Sequence, residues 1–397
     1  MPNSMPNSMP NSMSTFAQTI MERTYAHAVE DENRSETWEE IATRVVRNVM
    51  KAVGVNMRQK LAQDLCRLVI EKKFIPAGRY LYAAGNPFHM INNCLCLGVH
   101  DSREGWSELL MKASMALMTG AGIGVNYSDI RHEGATIRRT GGIATGPIAL
   151  MQIVNECGRG VMQGGNRRSA IWAGLRWSHP DVHKFIRVKN WLPEIHALKA
   201  KDFSFPAMLD FTNISVQLDD VFFEAYQDDE HPQHSLAHSV YWAVIEQMLK
   251  TGEPGFTVDV GKNSGEIYHN ACTEISSNLS DDCCNLASIN LSRVESLEEF
   301  KNVVDVGTAF LLAGSVYSDV PYSDVDRVRS KNRRLGLGLM GVHEWLLKRG
   351  KSYAPDEELE TWLAAYAKSG RTANKWADEW DLSHPKKTRA VAPNGTT

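Results

Sequence analysis

Long apolar runs are absent: nothing in the 397 residues approaches the ~18–20 consecutive apolar positions that a membrane-spanning helix needs. The start has no basic stretch leading into an apolar one, so no secretory leader is expected. Basic residues form no block and the formal net charge is −4, which argues against direct nucleic-acid binding. A cysteine spacing of the small-scaffold kind is also missing. The seven present are Cys66, Cys94, Cys96, Cys157, Cys272, Cys283 and Cys284. An odd set in a large chain points to a reducing compartment, the cytoplasm, and to thiol chemistry rather than structural disulfides. Zinc held by Cys94, Cys96, Cys283 and Cys284 is disfavoured, because Cys283 and Cys284 are adjacent instead of two to four residues apart. No metal is therefore expected.

What is present is a 43% hydrophobic chain, enough for a sizeable core. Residues 1–12 are three MPNS repeats, so 1–14 reads as a disordered tail with structure beginning near Thr15. Helical periodicity with Ser35 as N-cap predicts a helix through Trp38, Ile41, Val45 and Val49 to Gly54, then a second over about 57–73. Ser102 caps an apolar stripe that ends at Gly120, and Pro147 opens another helix. Residues 210–226 read as strand into helix, with Asn213 and Ser215 on one strand face. Further helices are expected over 235–250, 297–317, 337–348 and from Pro355 to about 380. TRAVAPNGTT (388–397) reads as a strand into a glycine turn.

The chemistry concentrates in Asn270-Ala271-Cys272-Thr273-Glu274. If extended, this segment puts an amide, a thiol and a carboxyl on one face. A buried thiol between two solvated polar neighbours is the competing reading. Gly120, Gly122 and Gly124 in TGAGIGVNYSDIR allow a close backbone approach, although that spacing also suits a tight barrel corner. Gly164-Gly165-Asn166-Arg167-Arg168 pairs permissive backbone with two guanidiniums, suited to phosphates or base edges, or to a solvated surface turn.

Asn-x-Cys-x-Glu, followed about ten residues later by CNLASINL from Cys284, resembles the catalytic centre of ribonucleotide reductases. Other stretches resemble the same family in the same order: FIPAGRYLYAAGN (74–86), Asn93-Cys94-Leu95, TGAGIGVNYSDIR, NISV (213–216), NRRLGLGLMGVHEWLL (332–347) and APNGTT. RTYAHAVEDENRSETWEE (23–40) is similar to the N-terminal region of the adenosylcobalamin-dependent class. The resemblance implies an α/β fold, a ten-stranded α/β barrel of the ribonucleotide reductase/glycyl-radical type, incomplete at its C-terminus. The barrel would occupy 76–397 and a small helical region 15–75.

It further implies ribonucleotide reduction to 2′-deoxyribonucleotides by a thiyl radical, for DNA precursor synthesis. Cys272 would carry the radical, Glu274 act as base at the 3′-OH, and Asn270 bind the ribose hydroxyls. Cys94 and Cys284 would be the redox pair, with Cys283 an open alternative to Cys284. Asn93, Gly124, Ser128, Asn213, Ser215, Pro393, Asn394, Gly395, Thr396 and Thr397 would line the substrate. Asn394 stands where the family more often has Thr. Residues 164–168 would form the effector specificity loop. Adenosylcobalamin and a nucleoside triphosphate effector are the implied small molecules. A thioredoxin-like reductant, a second copy in a homodimer and a complementing C-terminal polypeptide are the implied partners. Two alternatives stay open: a class I large subunit served by a separate radical-generating subunit, and an inactive nucleotide-binding half.

Overall fold

The computed structural model describes residues 13–138, 141–161 and 169–394, which form an α/β fold with a helical N-terminal region. Its main strands are β1 (Phe74–Pro76), β2 (Cys94–Gly98), β3 (Gly122–Asn126), β4 (Ile171–Arg176), β5 (Thr212–Asp219), β6 (Gly255–Asp259), β7 (Asp282–Asn290) and β8 (Leu335–Met340). Eight is the count among the described residues, in keeping with a ten-stranded barrel expected to be incomplete at its C-terminus. The chain divides into two compact units, one of residues 1–91, 285–319 and 330–397, the other of 92–284 and 320–329.

The first unit is built round the helix Leu297–Tyr317, buried along most of its length. A helix apolar on every side must be surrounded, and this one is. Phe310 meets Phe74 edge-on at 5.5 Å and Tyr80 at 4.8 Å. Ile41, Val45 and Val49, at helical spacing on Trp38–Lys51, join the same core. The N-cap of that helix is Thr37, not Ser35. Thr37 accepts from the Glu40 N–H while Glu40 reaches back to the Thr37 N–H, a reciprocal pair that Ser35 is too far upstream to make. The second helix spans Lys60–Ile70.

Three further expectations are corrected in this unit. The stretch expected as a helix over 337–348 is strand β8 followed by Val342–Lys348, with Gly341 left-handed between them. Leu335, Leu337 and Leu339 alternate with glycines, a period-two pattern that pairs β8 in parallel with residues 285–290 of β7, while β1 pairs antiparallel with 287–289. The long helix from Pro355 is two helices, Glu357–Tyr366 capped by Asp356 and Ser369–Glu379. The break at 367–368 turns Ala373 and Ala377 into the core. Around 388 there is no strand, only a parallel bridge of Arg389 to Leu337. Pro393, without an N–H, cannot extend a ladder.

In the second unit β2, β3, β4, β5 and β6 lie side by side in sequence order and all parallel. Each return passes through helix, including Arg103–Met118 after β2, Gly146–Gly160 after β3 and His234–Thr251 before β6. Ser102, Pro147 and Gly252 mark helix ends as expected. Strands covered on both faces read as continuous apolar runs, as in Ile171–Leu175. Residues 282–284 then pair antiparallel with β2.

We predict that Thr37→Ala lowers stability by about 1 kcal/mol, whereas Ser35→Ala, at an exposed position, leaves it unchanged. Urea unfolding of both variants, with amide exchange at Glu39–Ala42, checks the cap assignment.

Candidate active site

Each functional side chain discussed next lies in the second unit unless stated otherwise. The segment 270–274 is not extended. Tyr268–His269 and Ser276–Ser277 form a two-pair antiparallel ladder, and residues 270–275 turn between them as the tip of a finger. Thr273 sits at φ +65, in the left-handed region that β-branched residues disfavour. That kink is why the simple alternation expected of 270, 272 and 274 fails. Asn270, buried, closes the tip instead: its N–H donates to the Ile275 carbonyl and its Oδ1 accepts from the Ile275 N–H, each at 3.2 Å.

The finger lies on β3, and glycine makes that approach possible. A Cβ at Gly124 would collide with the His269 carbonyl oxygen and meet the Asn270 carbonyl at 2.7 Å. One at Gly122 would meet the Ala271 Cβ at 2.9 Å and the Cys94 Sγ at 3.1 Å. Gly124 thus lies beneath the finger backbone, which occupies the face expected to meet substrate.

Lowering the finger onto β3 brings three thiols together. Cys94 and Cys272 share a hydrogen bond, which together with burial and the Glu274 charge pushes the Cys94 thiol well above its ordinary range. Cys284 stands directly opposite Cys94 in the antiparallel register, whereas Cys283 opposes Leu95 and so projects to the other face. Directly opposed residues have Cα atoms about 4.5–5.5 Å apart, inside the disulfide range of roughly 4.4–6.8 Å. Burial, then the Glu274 charge, raises the Cys284 thiol. Burial pushes Cys283 up to about 12. Cys94 and Cys284 are buried; Cys272 is exposed.

Glu274 supplies the carboxyl. Burial raises it, against the pull of the neighbouring Asn270 amide, and among the described residues neither of its oxygens has a hydrogen-bond partner of normal geometry. Asn93 Oδ1 is a further buried acceptor without a donor among the described residues. Unpaired buried acceptors beside thiols call for a ligand rich in hydroxyl donors.

Polar side chains that the sequence reading did not single out hold this arrangement. The Ile267 carbonyl accepts from Asn126 Nδ2 and Gln217 Nε2, both at 2.9 Å, and His269 Nε2 meets Asp259 Oδ1 at 2.7 Å. Ser128 and Ser215 belong to this support: Ser128 Oγ donates to Gln217, and Ser215 Oγ accepts from Trp172 Nε1. On the other side, the Asp281 N–H donates to the Cys96 carbonyl and Ser277 Oγ donates to Asp282. Buried Lys112 lies 2.7 Å from Glu108, 3.0 Å from Asp281 and 3.2 Å from Asp324. Burial opposes its charge, but these carboxylates outweigh it and raise its pKa. Asn213 is exposed on β5 and joins none of these contacts among the described residues. Asn394, in the first unit, accepts from Ser288 Oγ at 3.1 Å, next to Pro393. Gly164, Gly165, Asn166, Arg167, Arg168, Gly395, Thr396 and Thr397 lie outside the described residues.

The family description "Ribonucleotide reductase, barrel domain" matches residues 92–237 and 234–367. The chain belongs to the ribonucleotide reductase family. The description "Ribonucleotide reductase alpha domain" matches residues 3–86. A vitamin B12-dependent ribonucleoside-diphosphate reductase of Thermoplasma acidophilum is 27% identical over 81% of this chain and 46% of its own length. One of Mycobacterium tuberculosis is 25% identical over 86% of this chain and 51% of its own. A ribonucleoside-diphosphate reductase large chain of Schizosaccharomyces pombe is 27% identical over 76% and 42%. The chain spans about half the length of these curated relatives.

The Glu274 shift has a testable sign. A carboxyl raised on folding stabilises fully below its unfolded value, ~4.3, and loses that contribution as pH rises through the folded value. We predict that Glu274→Gln unfolds at a higher temperature than wild type at neutral pH, and that the difference closes on acidification. Melting temperatures of both proteins between about pH 4 and pH 8 read this directly.

Proposed function

We propose that this chain reduces ribonucleotides to 2′-deoxyribonucleotides through a thiyl radical at Cys272. The observation that carries the reading is one thiol, Cys94, hydrogen-bonded to Cys272 on the finger and opposed to Cys284 on β7, beside a Glu274 carboxyl without a hydrogen-bond partner among the described residues. The 2′-hydroxide is a poor leaving group, and abstraction of the 3′ hydrogen by the Cys272 radical makes its loss feasible. Glu274 takes the 3′-OH proton, a role suited to a carboxyl with raised pKa and no competing donor. One thiol of the Cys94–Cys284 pair protonates the departing 2′-OH, which leaves as water, and the other gives its hydrogen to C2′. As the pair becomes a disulfide its remaining electron passes to the 3′ carbonyl, and Glu274 returns the proton to the 3′ oxygen. Cys272 regains its radical when it returns the hydrogen to C3′. An external thioredoxin-like dithiol then restores the pair. Asn270 and Asn93 would face the ribose hydroxyls.

The names of the Thermoplasma and Mycobacterium relatives support adenosylcobalamin as the radical source. The exposed Cys272 thiol suits a source brought up from outside, which when bound would supply a radical to that sulfur. The Schizosaccharomyces pombe relative is named a large chain, and that keeps a separate radical-generating subunit as the alternative.

A nucleoside triphosphate effector fits a cavity of about 470 Å³ between the start of helix Arg103–Met118 and residues 130–137 and 143–146. Its Trp106, Leu110 and Ile143 suit a base, and the helix N-terminus with Arg103 and Arg131 suits phosphates. The loop 164–168 is the segment we assign to relaying its identity. Met111, Met115 and Met118 are an exposed apolar stripe at helical spacing on Arg103–Met118, with Ile153 exposed on Gly146–Gly160. These helices are our proposed two-fold dimer face. Sedimentation should show a dimer that Met111→Glu with Met118→Glu weakens at least tenfold; a wild-type monomer at micromolar concentration refutes it.

The activity test supplies adenosylcobalamin, a dithiol and a ribonucleotide, and assays for deoxyribonucleotide. We expect Cys272→Ser to fold and to give only background. One substrate equivalent without dithiol should convert Cys94 and Cys284, not Cys283, into a disulfide on peptide mapping. Product from Cys272→Ser, or free thiols after turnover, sinks the mechanism. Nucleotide binding without product under any condition favours an inert nucleotide-binding chain.

A further inference from the structure

The finger that carries Cys272 has only two residue pairs in its ladder, Tyr268 with Ser277 and His269 with Ser276. A ladder that short does not hold its tip in place unaided. The tip must nevertheless keep Cys272 against Cys94, so its placement has to come from side chains. Ser276 Oγ donates to Glu266 Oε2 at 2.7 Å, a bond within the finger region that leaves the finger's height on the sheet undetermined. The bonds to Ile267 act at the start of the finger, several residues before the thiol.

His269 is different. It directly precedes Asn270, and both its backbone and its ring are pinned. Its carbonyl lies on Gly124. Its ring, 3% exposed, bonds Asp259 at the C-terminal end of β6 and meets Trp172 of β4 edge-on at 5.5 Å. Asp259 is 5% exposed and its second oxygen accepts from Gln217 Nε2 at 3.3 Å. Trp172 is itself fixed by its bond to Ser215 Oγ at 3.0 Å. The remaining ring nitrogen, Nδ1, is buried without a hydrogen-bond partner among the described residues. A bare lone pair is less costly there than an unpaired N–H, so the proton belongs on Nε2, directed at Asp259.

We propose that His269 is a positioning residue: its Nε2–H bond to Asp259 sets the height of the finger on the sheet and so the contact between Cys272 and Cys94. The assignment rests on the reading of Cys272 given above only for its importance to turnover; the geometric claim stands apart from it. Cys284 is placed by the β2–β7 register and does not depend on His269. Oxidation of the chain can therefore join Cys94 to either of two sulfurs, and His269 governs one of these outcomes alone.

The experiment oxidises the full chain briefly with diamide, quenches with acid, alkylates, and quantifies Cys94–Cys272 and Cys94–Cys284 disulfides by peptide mapping. No nucleotide is needed, so failure here is distinguishable from failure of the reductase reading. His269→Phe keeps ring packing on Trp172 and removes the bond; Asp259→Ala removes the acceptor; Asp259→Asn retains an acceptor oxygen for Nε2–H. We expect the Cys94–Cys272 yield to fall at least fivefold in His269→Phe and Asp259→Ala, with Cys94–Cys284 unchanged and Asp259→Asn within twofold of wild type. Unchanged Cys94–Cys272 yield in the first two variants overturns the proposal. So does joint loss of both disulfides, or equal loss in Asp259→Asn and Asp259→Ala, since either makes the pair a general stabiliser of the fold.

Discussion

The arrangement depends on a three-residue antiparallel pairing. Residues 282–284 lie against β2 in one register, and that register alone puts Cys284 opposite Cys94. A slip by one residue would present Cys283 instead and turn Cys284 to the other face. Three residues of ladder are too few to fix register by themselves. The buried Lys112 with Asp281, the Asp281 N–H on the Cys96 carbonyl and the Ser277–Asp282 bond supply what the ladder lacks. Breaking one partner of such a buried charge pair typically costs several kcal/mol, roughly 3–5, which is ample to hold a register.

The same economy appears at the finger. Two glycines remove the side chains that would keep two backbones apart, and a few polar bonds then choose the height at which they rest. Packing sets the distances; hydrogen bonds select among them. The thiols need no further device, since each is carried on backbone already fixed by one of these contacts.

Much of this was legible in the chain and some was not, for identifiable reasons. The helix 297–317, the Ser102 cap, the Pro147 start and the Gly252 stop were readable because period and punctuation agree there. The motif Asn270 to Glu274 and its CNL partner identified the family. Thr273 hid the turn at the finger tip, because a β-branched residue argues for extension. LGLGLM read as helix because glycine between leucines suits close helix packing as well as a strand. His269, Asp259, Gln217 and Asn126 went unnoticed: each is an ordinary polar residue, they come from three separate stretches of the chain, and only the topology gathers them. The one signal was that β6 delivers Asp259 a short way ahead of the finger.

Thr273 also bears on how this protein could be altered. A left-handed β-branched residue holds strain of order 1–3 kcal/mol, so replacement by glycine would look attractive to anyone seeking heat resistance. The relief would come with a looser tip, because glycine widens the conformations open to the chain on both sides of it. Thermal hardiness and the placement of the Cys272 sulfur would then pull in opposite directions at a single residue. A screen that rewarded only survival on heating would select against the sulfur's own aim.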